Sequence, residues 1–220
     1  DYDAIYITTG TQKIIPLNVP DYDAPGVLLG IEELEKIKIS EFSQNSDKIV
    51  IIGGGNTAID VARSLKRLGG DVTIAYRRTL RDMPANEEEI KEAMKENIEF
   101  VFMVSPHAIV SSDDNLKGIE LMKMKGGEYD PSGRRKPIPI GETVITPCDK
   151  IYAAIGERIN INFVECTDVN IKGTVEINPT TLQSSNPKVF AGGDFITGPT
   201  TVVNSMSEGK KAARNINIFL

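Results

Sequence analysis

Six consecutive residues, Gly53-Gly54-Gly55-Asn56-Thr57-Ala58, have the types and spacing to hold a pyrophosphate. Gly53 permits a tight turn. Gly55 removes the Cβ that would keep a phosphate off the backbone. Ala58 takes the third small position, where a helix must pack closely on a strand. Phosphate oxygens then meet the free N–H groups of a first helical turn, where the helix dipole favours negative charge. Further on, Tyr76-Arg77-Arg78 and Arg81 stand where a binder of an unphosphorylated ribose carries an acid. An acid accepts from a 2′-hydroxyl and repels a 2′-phosphate. A guanidinium pairs with that phosphate in a fork and can stack on adenine. The expected cofactor is therefore NADP(H) rather than NAD(H).

These groups need elements to position them. The apolar run Ile49 to Ile52 predicts a strand entering the glycines. A helical pattern runs from about Thr57 to Leu68, Gly69-Gly70 breaks it, and Val72 to Tyr76 predicts a second strand. Asn86 before Glu87-Glu88-Glu89 predicts an N-capped helix to about Glu96. Phe100 to Val104 reads as a further strand. Ala108 to Val110, Leu116 to Lys125 and Glu142 to Thr146 predict antiparallel strands, with turns at Asp113-Asp114-Asn115 and Asp130-Pro131-Ser132-Gly133. The expected fold is α/β, a Rossmann-like parallel βαβαβ core carrying a β-meander. Arg134-Arg135-Lys136 reads as a solvated hairpin tip.

Ile31 to Ile37 predicts a short helix ahead of this core, after a Pro-rich stretch from Ile15 to Gly30. Behind the core, Thr174 to Ile177 and Val189 to Ala191 predict strands. A helix from about Thr200 to Phe219 is expected to set Val202, Val203, Met206, Ala213 and Ile216 mostly on one face. Two segments share the pattern D-x-I-Y-x-x-x-G: Asp3 to Gly10 and Asp149 to Gly156. They read as the opening and closing strands of one domain, with the residues between them inserted.

The 220 residues, 40% of them hydrophobic with a formal charge of −6, suit a globular protein. No apolar run approaches the roughly 20 residues of a membrane span. The negative balance argues against a nucleic-acid partner. Cys148 and Cys166 form no CxxC, which speaks against an iron–sulfur ligand set or a redox dithiol within this chain. They read as buried, reduced thiols, as in a reducing, cytoplasmic compartment. His107 has no metal-ligand cluster around it and reads as structural.

Val189-Phe190-Ala191-Gly192-Gly193-Asp194 resembles the C-terminal flavin motif of flavoproteins with two dinucleotide domains. With Ile52 to Ala58, Tyr76-Arg77-Arg78, Arg81 to Ala85, Ser132 to Arg135 and Gly198 to Val203, the chain resembles the small (beta) subunit of NADPH-dependent glutamate synthase. It is similar also to the matching domains of dihydropyrimidine dehydrogenase and ferredoxin–NADP transhydrogenases. The resemblance implies NADP(H) and FAD, with hydride passing from nicotinamide to flavin and electrons leaving to a partner subunit or domain through iron–sulfur clusters outside this chain. It implies an NADP(H)-binding domain at 46–148, inserted into a partial FAD-binding domain made of 1–45 and 149–220. It also implies a C-terminal fragment, inactive alone, because the family's FAD pyrophosphate motif precedes Asp3. The cofactor contacts expected are Gly53, Gly54, Gly55, Asn56, Thr57, Ala58, Arg77, Arg78 and Arg81, with Gly10, Ile155, Gly156, Gly193, Asp194, Thr200 and Thr201. Asp194 is expected to accept a ribityl hydroxyl, and the helix after Thr200 to face the flavin. No side chain is expected to act as acid, base or metal ligand, because the cofactors carry the chemistry. Other readings are a stand-alone NADP(H)-binding module and a thioredoxin-reductase-like flavoprotein; the lack of CxxC weighs against the second.

Overall fold

The computed structural model describes residues 2–39, 46–112, 115–160, 171–172 and 174–220. Strands β1 (Ile5–Ile7) and β2 (Lys13–Ile14) lead to β3 (Val27–Leu29) and helix α1 (Gly30–Lys38). Then follow β4 (Lys48–Ile52), α2 (Asn56–Arg67), β5 (Asp71–Tyr76), α3 (Glu87–Lys95) and β6 (Glu99–Phe102). Strands β7 (Val104–Ser112), β8 (Asn115–Tyr129) and β9 (Arg135–Pro147) form the meander, and β10 (Lys150–Ala153) follows. The chain ends with β11 (Glu157–Arg158), β12 (Ile171–Lys172), β13 (Thr174–Val175), β14 (Val189–Ala191), the one-turn α4 (Asp194–Thr197) and α5 (Val202–Phe219). Cys166 and the Asp113-Asp114 half of one expected turn lie outside the described residues.

Two compact units divide these elements. One is Ile15–Gly156; the other joins Asp1–Ile14 to Glu157–Leu220. The central unit is built on a parallel sheet in the order β3-β10-β4-β5-β6. Its inner strands β10, β4 and β5 are largely buried on both sides, while the edge strands β3 and β6 are half-buried. Ile49 and Ile51 face α1, α2 and α3, where they pack with Ile59, Leu65, Ile74 and Ile90. Val50 and Ile52 face the opposite way, against Ile109, Ile119 and Leu121 of the meander. Cys148 is buried in that second layer. Burial, reinforced by Asp149, pushes its thiol up to about 12. Cys148 is therefore expected to resist alkylation in the native protein at mildly alkaline pH and to react only on unfolding. Mass spectrometry of iodoacetamide-treated protein checks this.

The closing strand corrects one expectation. β10 lies beside β4 in the central sheet, whereas its sequence counterpart β1 pairs in parallel with β14 in the other unit. The central unit thus extends to Gly156, past the expected limit at 148, and back to Ile15, well before 46. The two D-x-I-Y segments share a pattern because each is a short parallel strand running into a glycine turn. They do not share a sheet.

In the second unit, Ile7, Val189, Ala191 and Phe195 form the core with Ile159 and Val175. The expected apolar face of α5 is not the buried one. Ala212 is buried, while Val202, Val203 and Met206 are 76%, 74% and 58% exposed. A polar contact orients the helix: Glu208 accepts from the Gly193 backbone N–H.

Candidate functional site

The glycine turn lies at the C-terminal end of β4, where the strand order switches direction. β5 and β6 extend to one side, β10 and β3 to the other. Such a crevice is where ligands bind to open α/β sheets. Gly53 adopts φ +151°, and a Cβ there would stand 2.2 Å from the Ala154 carbonyl oxygen. It would also lie 3.2 Å from the Ala58 methyl, so Ala58, fully buried, is the close-packing position. This close approach sets Ile155 and Gly156, just after β10, beside the turn. Ile155 is 41% exposed.

Gly55 differs from its neighbours. A Cβ there would meet nothing within 4 Å. Gly55 is the N-cap of α2, and no side chain caps that end. Its carbonyl takes the N–H groups of Ala58 and Ile59, at 3.0 and 3.2 Å. The earlier N–H groups of the turn have no intrahelical partner to bond. Open space before uncapped, positively polarised amides fits an anionic pyrophosphate. Thr57 is half-buried within the same first turn.

Tyr76 has a role that its position beside the arginines concealed. Alternation along β5 turns Val72, Ile74 and Tyr76 to the helical side. The Tyr76 ring lies under Gly54, where an added Cβ would come within 2.5 Å of it. Its hydroxyl donates to the Asp82 carbonyl at 2.8 Å. Ala85 N–H bonds to the Gly54 carbonyl at 3.3 Å, and Asn86 N–H to Asn56 Oδ1 at 2.9 Å. The Asn56 side chain thus braces the loop ahead of α3. Asn86 Oδ1 in turn accepts from Glu88 N–H at 2.8 Å, capping α3. Asn86→Ala is expected to cost about 1 kcal/mol. In a chain of this size that lowers the Tm by roughly 2–4 °C, readable by thermal unfolding.

The three arginines part company. Arg77 and Arg81 are exposed. Arg78 is buried, with Nη2 2.7 Å from Asp130 Oδ2 at the β8–β9 turn. Arg135 and Lys136 at this hairpin are exposed, while Asp130 in its turn is docked on Arg78. The Ser132 hydroxyl, then the N–H groups of Arg134 and Ser132 and the Arg78 charge, overcome desolvation and hold the Asp130 carboxyl at about 2, below its ordinary 3.8. A depressed acid contributes stability in full above its ordinary value. That contribution is lost as pH falls toward about 2, so the pair persists through mildly acidic solution.

In the second unit, Gly192-Gly193-Asp194 turns from β14 into α4. A Cβ on Gly192 would meet the Tyr6 hydroxyl at 2.2 Å. Gly193 sits at φ +66° and opens α4. Asp194 Oδ1 accepts from both N–H and hydroxyl of Thr200, each at 3.0 Å. That oxygen therefore braces the Gly198-Pro199-Thr200 loop. Thr201 caps α5, accepting from Asn204 N–H at 3.3 Å. Gly10 follows β1 at φ +69° with open space about it. Among the described residues no group of His, Cys, Asp and Glu is placed to hold a metal, and no helix is long and apolar enough to cross a membrane.

A parallel sheet with a glycine turn at its switch point places the chain in the class of FAD/NAD(P)-binding α/β folds. Residues 1–209 match the family described as pyridine nucleotide-disulphide oxidoreductase, and the chain belongs to that family. It is 38% identical over 226 residues to the NADP(+)-dependent formate dehydrogenase subunit beta of Moorella thermoacetica, covering 100% of this chain and 32% of that protein. It is 34% identical over 240 residues to the small chain of the NADPH glutamate synthase of Escherichia coli K12, covering 100% of this chain and 51% of that one. The chain thus spans about a third to a half of these relatives. Mycobacterium tuberculosis FprA in complex with NADPH shares the fold, with a TM-score of 0.75 at 19% identity, over 99% of this chain and 64% of that one.

Proposed function

We propose that this chain carries the NADPH-oxidising part of a flavin-dependent oxidoreductase of the glutamate synthase small-chain kind. The observation that supports this best is the uncapped start of α2 behind Gly53-Gly54-Gly55, with Arg77 and Arg81 exposed beyond the end of β5. The amides of the turn and of Asn56 and Thr57 take the pyrophosphate. Gly55 leaves room for it, and Gly53, Gly54 and Ala58 fix the turn's shape. Ile155 and Gly156 border the same crevice. Arg77 and Arg81 read the 2′-phosphate, while Arg78 supports them from beneath.

Gly10, Gly193, Asp194, Thr200 and Thr201 are assigned to FAD. Gly193 is buried at φ +66° with its N–H bonded to Glu208, so its part is to shape the turn that carries Asp194. Asp194 has one oxygen engaged by Thr200, so its second oxygen is the acceptor for a flavin hydroxyl. When bound, NADPH supplies a hydride that FAD accepts, and the protein's own part is binding, orientation and electrostatics. Electrons leave to a partner subunit or domain by way of iron–sulfur clusters outside this chain, in a cytoplasmic setting.

The test is anaerobic titration of the intact protein. Bound flavin is expected to bleach with NADPH at concentrations where NADH leaves it oxidised. Equal bleaching by NADPH and NADH contradicts the proposal.

A further inference from the structure

We propose that Asp130, at the tip of the β8–β9 hairpin, is a positioning residue for recognition of the 2′-phosphate: it pins Arg78, and through it the segment that presents Arg77 and Arg81. The inference rests on the reading of Arg77 and Arg81 given above and adds what makes that reading selective.

Residues 77–82 follow β5 and close in a single 3-10 turn, Leu80–Asp82, capped by Thr79, with no sheet partner of their own. Three ties fix this segment. The first is the Arg78–Asp130 pair, with side chains only 8% and 16% exposed. Arg78 Nε is buried and makes no hydrogen bond, so Asp130 is what holds the guanidinium. The second is a backbone relay. Met103 N–H bonds to the Arg78 carbonyl at 3.2 Å, and Met124 N–H, on β8, bonds to the Met103 carbonyl at 2.7 Å. The third is Asp82, whose carboxylate accepts from Thr79 Oγ1 at 2.6 Å and Thr79 N–H at 3.2 Å and faces the Arg135 backbone N–H. The first tie starts from the hairpin tip, the second reaches the same hairpin through β8, and the third is local to the segment, with the Arg135 backbone of β9 beside it. Arg77 and Arg81 are thereby presented from a loop held near both ends. A long side chain anchored at its base loses less freedom on forming its hydrogen bonds, which is what a selective anion site needs.

Asp130 divides its two oxygens between two jobs. Oδ1 accepts from Ser132 N–H at 2.9 Å, from the Ser132 hydroxyl and from Arg134 N–H at 3.2 Å, which shapes the turn. Oδ2 takes Arg78. Asp130→Asn therefore separates the jobs. The amide oxygen can keep the turn, while the amide NH2 faces the guanidinium donor to donor and the pin is lost. The sign of the effect is diagnostic. If Asp130 acted only as a nearby negative charge, removing it would strengthen phosphate binding. As a positioning residue, its removal weakens binding.

The experiment measures the affinity of the intact protein for 2′,5′-ADP and for 5′-ADP by calorimetry. The wild type is expected to prefer 2′,5′-ADP. Equal affinities there would overturn the arginine reading and the clamp with it. Asp130→Asn is expected to weaken 2′,5′-ADP about tenfold or more, the scale of one charge-assisted hydrogen bond, with 5′-ADP unchanged within about twofold. Tighter binding of 2′,5′-ADP, unchanged binding, or equal weakening of both nucleotides would each overturn the clamp while leaving the arginine reading standing. Arg78→Met with Asp130→Asn removes the buried charge along with its partner, and keeps the test available if the single variant unfolds. The double variant is expected to lose the preference for 2′,5′-ADP about tenfold relative to wild type, because the two residues act as one unit. Wild-type discrimination in a folded double variant would overturn the proposal.

Discussion

Gly53→Ala is expected to abolish measurable dinucleotide binding and to lower stability substantially. Two independent penalties meet at this position. At φ +151° an L side chain is strained, at about 1–3 kcal/mol. The added methyl would also stand 2.2 Å from the Ala154 carbonyl oxygen and 2.9 Å from its carbon. That neighbour is backbone and has little room to yield. Ala154 N–H bonds to the Ile52 carbonyl at 2.9 Å, and Gly53 N–H bonds to the Ala75 carbonyl at 3.2 Å, so three strands hold the turn. Overpacking of this kind adds about 1–3 kcal/mol. The strain is relieved only by moving the turn, and with it the amides that take the pyrophosphate. A displaced cradle forfeits several hydrogen bonds to charged oxygens together, so a fall in affinity of about 100-fold or more follows. Calorimetry with NADPH and a thermal melt read the two effects. Near-normal affinity in a folded variant would show that the turn at Gly53 is not the cradle.

Arg77→Ala carries the second large effect, on selectivity rather than fold. Arg77 is exposed and enters none of the ion pairs seen among the described residues, so its loss leaves the core intact. A charge-assisted hydrogen bond to phosphate contributes about 1.5–3 kcal/mol. NADPH affinity should fall roughly 10- to 100-fold while NADH affinity stays nearly constant. Arg81→Ala should act in the same direction. Lysine at 77 is expected to restore only part of the loss, since it lacks the planar fork. An equal loss for both cofactors would show that Arg77 does not read the 2′-phosphate.

Much of this site was legible in sequence because its chemistry is local. Gly53 to Ala58 lie in one turn, and apolar runs with glycine breaks mark β4, α2 and β5 with little ambiguity. Asn86 declared itself as a cap by the three glutamates after it. What was not legible depends on non-local packing. Period-two alternation on β5 turns Tyr76 inward, but nothing nearby says that its ring becomes the floor under Gly54. Arg77 and Arg78 look equivalent in the chain. Only the return of the hairpin, more than fifty residues later, separates an exposed arginine from a buried one paired with Asp130. The place of β10 between β3 and β4 depends on the same kind of packing: a strand's neighbours are set by sheet order, not by resemblance to another strand. On α5 the apolar pattern of Val202, Val203 and Met206 was real. The helix faces its unit by way of Glu208 and Ala212 instead.

The central claim is that the glycine turn and the loop of Arg77 and Arg81 together bind a 2′-phosphorylated dinucleotide. Side-by-side calorimetric titration with NADPH and NADH tests it most directly. Saturable binding of NADPH, at least about tenfold tighter than NADH, is the predicted result. Binding of the two with equal affinity, or of neither, would contradict it.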